Sequence, residues 1–179
     1  MNSDLIAMLG NLSQSFFSIQ HIVSGLAYLL GVLFFMKAIQ KFHKIGDKKS
    51  HSPSQEKMFV PAAYLLAGTA LVFLPSMLGV LSNTVFGAGN VLQYATYTPY
   101  SVYGAMGIII RTAGVIWFIR GCVLLAHASE PGVQEGPKGV MFLIAGIFSM
   151  NFDSTVAYLN WAVAQLLSYT LTAPATTGA

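Results

Sequence analysis

Two charged residues lie near the middle of long apolar stretches of this sequence, and they are the residues most able to do chemistry. Arg111 lies about ten residues into the third apolar stretch, and Asp153 about fifteen residues past Lys138 in the fourth. On antiparallel neighbouring helices their depths would differ by only about 6 Å, within reach of an arginine side chain. Because an ionisable group inside a membrane normally faces the bundle interior, water or a partner, we favour an Arg111–Asp153 ion pair. The alternative is that one or both line a polar conduit or face a neighbouring subunit.

No catalytic or metal-binding constellation accompanies this pair. The sequence has four histidines and a single cysteine, Cys122, and no two histidines have the spacing of metal ligands. It also lacks a phosphate-binding glycine loop, a zinc-protease motif and a nucleophile elbow. We therefore predict no enzyme, no metal and no cofactor, and we name a bound phospholipid as the one small ligand to consider.

The composition identifies the environment of these residues. The chain has 179 residues, of which 55% are apolar and only 8% charged, and its mean hydropathy is +0.64. Soluble domains are about one quarter charged, so a soluble enzyme, a disordered tail and a nucleic-acid binder with a basic face are all excluded. The sequence predicts a membrane protein. Its first 20 residues contain Asp4 and no Lys or Arg, so we expect no cleaved signal peptide.

Four apolar stretches are each long enough to cross a bilayer of about 30 Å as a helix. They cover about residues 19–42, 58–81, 102–126 and 139–167. The predicted fold is all-α, a single polytopic membrane domain of residues 1–179 with four transmembrane helices in two antiparallel hairpins, 19–81 and 101–167. Pro75 should kink or break the second span. Asn151, Asp153 and Ser154 could break the fourth near its middle, and the sequence leaves that open.

The two ends of the chain differ in character. Residues 1–18 place Met8, Leu12 and Phe16 at near-helical spacing opposite polar residues, which is typical of an amphipathic helix on the membrane surface. An N-terminal extension of the first span explains the same pattern equally well. Residues 168–179 form a small, polar and uncharged tail.

The positions of the lysines predict the topology. The loop 43–57 and its flanks are basic, and we assign the cytoplasmic anchor to Lys41, Lys44, Lys48, Lys49 and Lys57. Arg120 and Lys138 flank the next loop on the same side, whereas residues 82–100 and the tail carry no charge. Since positive charge stays in the cytoplasm during insertion, both termini should lie on the outer side.

The outer segment 82–100 and the start of the third span are rich in tyrosine. The tyrosines are Tyr94, Tyr97, Tyr100 and Tyr103. We favour an interfacial aromatic belt, in which each ring lies at the headgroups with its hydroxyl in water. A docking loop for a partner protein is the alternative, and the two can coexist.

Glycines recur every seven residues on the third and fourth spans. They are Gly107, Gly114 and Gly121 on the third span, and Gly139 and Gly146 on the fourth. Such stripes allow membrane helices to approach closely. We favour packing within one subunit over packing between subunits.

The last third of the chain resembles a known family. Residues 115–160 combine VIWFIRG, a short loop with glycine, a Lys-Gly entry, IAGIFSMN and an Asn-Phe-Asp-Ser-Thr step. This resembles the IcmC/DotE family of small inner-membrane components of Dot/Icm type IVB secretion systems, with its relatives DotV and conjugative TraQ. The chain departs from the family's pattern at Ala145-Gly146, where the family has two glycines, and in an aspartate at 153.

The resemblance implies a non-catalytic subunit in the inner membrane of a bacterium. Its partners would be the lipid bilayer and other secretion-system membrane subunits, DotA-like ones among them, in a homo- or hetero-oligomer that moves effector proteins without binding nucleic acid directly. Two other functions fit the residues. One is a pilin-like subunit drawn from the membrane into a filament, and the other is a small transporter or ion-conducting protein that uses Arg111 and Asp153.

Overall fold

A computed structural model describes residues 2–48, 58–86 and 102–172, and this part of the chain is helical with no strand. The predicted all-α class is confirmed. The helices are α1 (Asn2–Lys48), α2 (Phe59–Val72), α3 (Leu74–Phe86), α4 (Val102–Ala128), α5 (Gly136–Met150) and α6 (Phe152–Thr172).

Two of these helices are long and apolar enough to cross a membrane on their own. They contain the segments Gly10–Asp47 of α1 and Tyr103–Ala128 of α4. The pairs α2 with α3 and α5 with α6 reach that length only together, and they are bent by 95° and 94°. The described chain therefore has two candidate spans, or four if each bent pair is one span. Apolar helices of this kind are consistent with a membrane protein.

The N-terminal segment is continuous with the first apolar stretch. Residues 2–18 belong to the same uninterrupted helix, α1, that carries the first span. This is the geometry of an N-terminal extension of that span.

The core lies where α1, α2 and α4 meet. Phe34 of α1, Tyr64 and Leu71 of α2, and Val115 and Phe118 of α4 are almost completely buried there. The C-terminal parts of α1 and α4 both meet α2 near Tyr64, so these two long helices run in the same direction.

Each long helix packs against a short antiparallel partner. Along α1, Phe34 contacts Tyr64 of α2 whereas Gly31 contacts Gly68 and Val72, so contacts advance along one helix as they recede along the other. Gly121 and Gly114 of α4 meet Leu143 and Met150 of α5 in the same manner. It follows that α2 and α5 share one direction, opposite to that of α1 and α4.

The two halves of the chain repeat one plan. Helices α1 to α3 and α4 to α6 each consist of a long helix, a short antiparallel helix of 14 or 15 residues, and a third helix turned by about a right angle. The sequences share this repeat, as GVLFFMK (31–37) matches GVIWFIR (114–120) and YLLAG (64–68) matches FLIAG (142–146). Two such units in the same orientation are typical of parallel internal repeats in membrane proteins.

The turns between the short helices and the third helices have nearly the same backbone geometry. Phe73 ends α2 with φ −98° and ψ 31°, and Asn151 ends α5 with φ −99° and ψ 44°. We call these the first corner and the second corner. Pro75 lies two residues past the first, where it has no N–H to donate to the carbonyl of Leu71.

Candidate functional site: two polar clusters in an apolar helical bundle

The structure brings Arg111 and Asp153 together at the second corner. Nη2 of Arg111 on α4 donates a hydrogen bond to Oδ2 of Asp153 in the first turn of α6, which makes an ion pair. The side chains are 30% and 40% exposed in the isolated chain. A charge pair inside an apolar bundle holds its two elements in one arrangement, because separating the charges there is costly.

The second corner itself places Asp153. The side-chain amide Nδ2 of Asn151 donates a hydrogen bond to the carbonyl of Ile147, and the hydroxyl of Thr155 donates one to the carbonyl of Phe148, both at 2.8 Å. These carbonyls belong to the last turn of α5, which a bend leaves short of helical partners. The fourth apolar stretch is therefore broken at Asn151, one of the places where the sequence left a break open.

One polar atom of this pair lacks a hydrogen-bond partner among the described residues. Nε of Arg111 is buried and makes no hydrogen bond within the described residues. A buried N–H without an acceptor destabilises a fold by roughly 1–3 kcal/mol. The Arg111–Asp153 pair is therefore less completely satisfied than a structural ion pair of optimal geometry.

A second polar cluster lies at the other end of the bundle, and we call it the inner junction. Lys41 of α1 and the hydroxyl of Tyr64 of α2 both donate to Oε1 of Glu130, at 2.9 Å and 2.7 Å. Glu130 lies in the turn between α4 and α5. One carboxylate thus joins three elements that come from both halves of the chain.

Aromatic rings enclose the inner junction. Phe34 and His127 meet Tyr64 edge to face, with ring centroids 5.4 Å and 6.3 Å away. Nζ of Lys41 lies 5.0 Å from the centroid of the Tyr64 ring, a cation–π arrangement. The Tyr64 ring packs as core while its hydroxyl reaches the polar edge of the bundle.

The electrostatics of the inner junction favour an ionised Glu130. The hydrogen bond from Tyr64, then the one from Lys41, and the charge of Lys41 lower the pKa of the Glu130 carboxyl below its ordinary value of 4.5, against an opposing effect of burial. The carboxylate is consequently charged wherever the bundle is folded near neutral pH.

Cation–aromatic pairs recur at the inner end of both repeats. Lys37 lies 5.9 Å from the centroid of the Tyr64 ring, and Arg120 lies 4.9 Å from that of Phe142. Lys37 and Arg120 are equivalent positions in the repeat, as are Tyr64 and Phe142. The sequence indicated only that Arg120 flanks a basic loop, and the repeat indicates that it lies at the same level as Lys37.

Four of the five stripe glycines line the contact between α4 and α5. A Cβ added to Gly114, Gly121, Gly139 or Gly146 would lie 2.8–2.9 Å from atoms of the facing helix. Such distances leave no room for a side chain, so these four glycines allow close packing between two helices of the same chain. Gly107 is different, because among the described residues a Cβ there would meet Phe152 alone, at an ordinary contact distance of 3.8 Å.

Of the other residues singled out in the sequence, some lie in the described part of the chain. Tyr103 is 55% exposed and its ring packs beside that of Phe152. Lys44 is exposed near the end of α1, and for Lys48 only the helical backbone is described. Outside the described residues lie Tyr94, Tyr97, Tyr100, Lys49 and Lys57.

Sequence reasoning missed Tyr64, Glu130 and the pair Gly31–Gly68. A Cβ on Gly68 would lie 3.0 Å from the carbonyl oxygen of Gly31, much as one on Gly146 would lie 2.9 Å from that of Gly114. The internal repeat is the signal that finds this pair, since Gly31 and Gly68 match Gly114 and Gly146. No such signal exists for Glu130, which lies in a short polar turn.

The fold and the two clusters define an all-helical protein built from two apolar repeats. Comparison with protein-family models, with curated proteins and with solved structures finds no match to the chain.

Proposed function

We propose that this chain is a non-catalytic integral membrane subunit of a bacterial type IVB (Dot/Icm-like) secretion or conjugation machine. It contributes to the inner-membrane channel, or to the assembly of that channel, for effector protein translocation. The resemblance of residues 115–160 to the IcmC/DotE family supports this assignment. The chain crosses the membrane four times as two hairpins, with both termini in the periplasm.

The charges of the bundle support this orientation. Lys41 pairs with Glu130 at the inner junction, and Lys37, Lys44 and Arg120 lie toward the same end. At the opposite end, around the two corners, the described residues include no lysine, and the charge of Arg111 is balanced by Asp153. By the positive-inside rule, the inner junction faces the cytoplasm.

The observation that carries the subunit assignment is the apolar helix surface that the bundle leaves uncovered. From Asn2 to Lys37, α1 extends for about 52 Å, whereas the hydrocarbon core of a membrane is only about 30 Å thick. Met8 and Leu12 are exposed on this surplus length. Apolar surface beyond the lipid needs cover from other subunits.

Co-purification tests this proposal. A tagged chain is extracted from its native membranes in mild detergent, and the proteins recovered with it are identified by mass spectrometry. We expect other secretion-system membrane subunits. Met8→Lys should reduce their recovery several-fold, whereas Gln14→Lys, an exposed polar position on the same helix, serves as the matched control. Recovery of the chain alone, or only with copies of itself, contradicts the proposal.

A second candidate function is a small transporter or ion-conducting protein. The Arg111–Asp153 pair in an apolar bundle favours it, since intramembrane ionisable groups commonly mark ion pathways. Liposomes that contain only this chain test it by ion flux. Flux that Arg111→Met abolishes would support the transporter. Loss of the chain from the inner membrane into filaments would instead support a pilin-like subunit.

A further inference from the structure

We propose that α3 and α6 lie in the membrane plane, at the interface on the periplasmic side of the inner membrane. In the second and fourth spans only α2 and α5 then cross the lipid. The exposed surface of α6 would then contact the phospholipids of the outer leaflet. The choice of the outer side rests on the topology of the proposed function, whereas the in-plane arrangement follows from the geometry below.

The two corners lie at the same level of the bundle. Helices α2 and α5 run in the same direction and have 14 and 15 residues, which correspond to about 21 and 22 Å. Helix α3 begins at the first corner, and its last residue, Phe86, meets the ring of Phe148 at 5.6 Å. Phe148 lies three residues before the second corner, so α3 extends from one corner toward the other.

The internal repeat independently supports the conclusion that the two corners lie at the same depth. Gly31 meets Gly68 in the first half and Gly114 meets Gly146 in the second, and each crossing lies five residues before its corner. Six residues separate each crossing from the inner cation, Lys37 or Arg120. Two halves with the same spacings place their corners equally far from the cytoplasmic side.

The lengths of α2 and α5 match the distance between the cytoplasmic side of the hydrocarbon core and a helix that lies in the opposite interface. A helix that lies in the interface buries its apolar face about 5–10 Å into the boundary between headgroups and acyl chains. In a hydrocarbon core of about 30 Å, its axis would therefore be about 20–25 Å from the opposite side. The corners reach this level, and the right-angled bends then direct α3 and α6 along the membrane plane.

The surface of α6 has the character that such a position requires. The described part of α6 beyond Asp153 carries no charge, and its residues 157–161 and 163–170 are all exposed. At about 100° per residue, Gln165 and Ser168 share one side and Leu159, Val163 and Leu166 the other. An amphipathic, uncharged helix with Tyr158, Trp161 and Tyr169 is typical of the interface, where aromatic residues collect.

Depth measurements on two matched pairs of positions test the proposal. The full chain carries Cys122→Ala, which removes its single, buried cysteine, and is reconstituted in phosphatidylethanolamine–phosphatidylglycerol vesicles. Nitroxide labels are placed through Tyr158→Cys and Tyr169→Cys on α6, and as a control through Met106→Cys and Trp117→Cys on α4. All four side chains are exposed, and each pair is eleven residues apart on one helix face.

We expect the two α6 labels to lie at equal depth near the interface, as judged by collision with oxygen and with a water-soluble nickel complex. The α4 labels should differ in depth by about 16 Å, because α4 crosses the membrane. A difference of about 16 Å between the α6 labels would overturn the proposal. So would two α6 labels that only the water-soluble complex reaches, or that neither reagent reaches because a second copy or another subunit covers them.

The periplasmic location of α6 can be tested separately from its in-plane orientation. A membrane-impermeant thiol reagent added to intact cells should label Tyr158→Cys. Labelling only after the cells are opened would contradict the periplasmic side assigned under the proposed function, yet equal depths would still establish the in-plane helix. Failure of the co-purification likewise leaves the depth measurement unaffected.

Discussion

The two halves of the chain have the same backbone plan but place their polar chemistry at opposite ends. The first corner is followed by Pro75, and the second by Asp153 at the equivalent position. Arg111, the partner of Asp153, likewise takes the place of Tyr28 in the first half. At the end of the bundle that holds the inner junction the difference is reversed, because Tyr64 joins the hydrogen-bonded cluster whereas its counterpart Phe142 stacks on Arg120.

This difference separates the features that determine the shared backbone arrangement from those that occur in only one half. The features common to both halves are the close glycine crossing, the cation–aromatic pair and the bend. A proline serves one corner and a hydrogen-bonded asparagine the other, so neither is required for a bend of this size. The ion pair and the inner junction are additions to one half or the other.

The largest effect should come from breaking the ion pair of the second corner. We expect Asp153→Ala to lower the free energy of unfolding by about 3 kcal/mol, because it leaves Arg111 charged and unpaired in an apolar bundle. Chemical unfolding in detergent micelles, followed by circular dichroism, measures the loss. Ser154→Ala, in the same turn, is the control.

A double-mutant cycle separates the pair from its members. The loss for Arg111→Ala with Asp153→Ala should be clearly smaller than the sum of the two single losses. Strictly additive losses would show that the two side chains act independently.

The next effect should come from the glycine crossings. We expect Gly146→Ala to destabilise the fold by about 2 kcal/mol, since a Cβ there would lie 2.8 Å from the backbone nitrogen of Phe118. Gly68→Ala, the equivalent change in the first half, should cost less, because its nearest atom is 3.0 Å away. The measurement is again the free energy of unfolding.

Gly79→Ala is the control for these substitutions. Beyond its own stretch of helix, no atom of the described residues lies within 4 Å of a Cβ at this position, so alanine should be neutral or slightly stabilising. Equal effects at all three glycines would contradict a role for close approach.

A smaller effect is expected at the inner junction. Glu130→Ala removes the acceptor shared by Tyr64 and Lys41, and we expect a loss of about 1–2 kcal/mol, limited by the partial exposure of the cluster. Glu135→Ala, in the same turn but without a side-chain hydrogen bond in the described chain, should change the free energy of unfolding by less than about 0.5 kcal/mol. A loss at Glu135 as large as that at Glu130 would contradict the assigned contacts.

The smallest effect is the pH dependence of that loss. The pKa of Glu130 is lowered in the folded state, so its contribution is complete above the ordinary pKa of 4.5 and disappears as the pH falls through the folded value. The difference in free energy of unfolding between the wild type and Glu130→Gln should thus be constant from pH 7 to about pH 5 and shrink below the ordinary pKa of 4.5. A difference that grows toward acid pH would have the wrong sign for a lowered pKa.

The sequence by itself determined the class of the protein and much of the second half. Few charges and long apolar stretches predict helices, because a helix pairs the backbone N–H and C=O groups of an apolar segment within that segment. The helical rise indicated that Arg111 and Asp153 could meet, and seven-residue spacing marked the glycines that line the contact between α4 and α5. These inferences needed only local geometry and one neighbouring helix.

Only the tertiary structure decided the bends and the inner junction. A run of apolar residues does not specify whether a helix continues or turns, because the outcome depends on whether the freed carbonyls find donors such as Asn151 and Thr155. Glu130 is 89 residues from Lys41 and 66 from Tyr64 along the chain. Contacts over such separations form only when three helices pack together, so no local pattern could have predicted them.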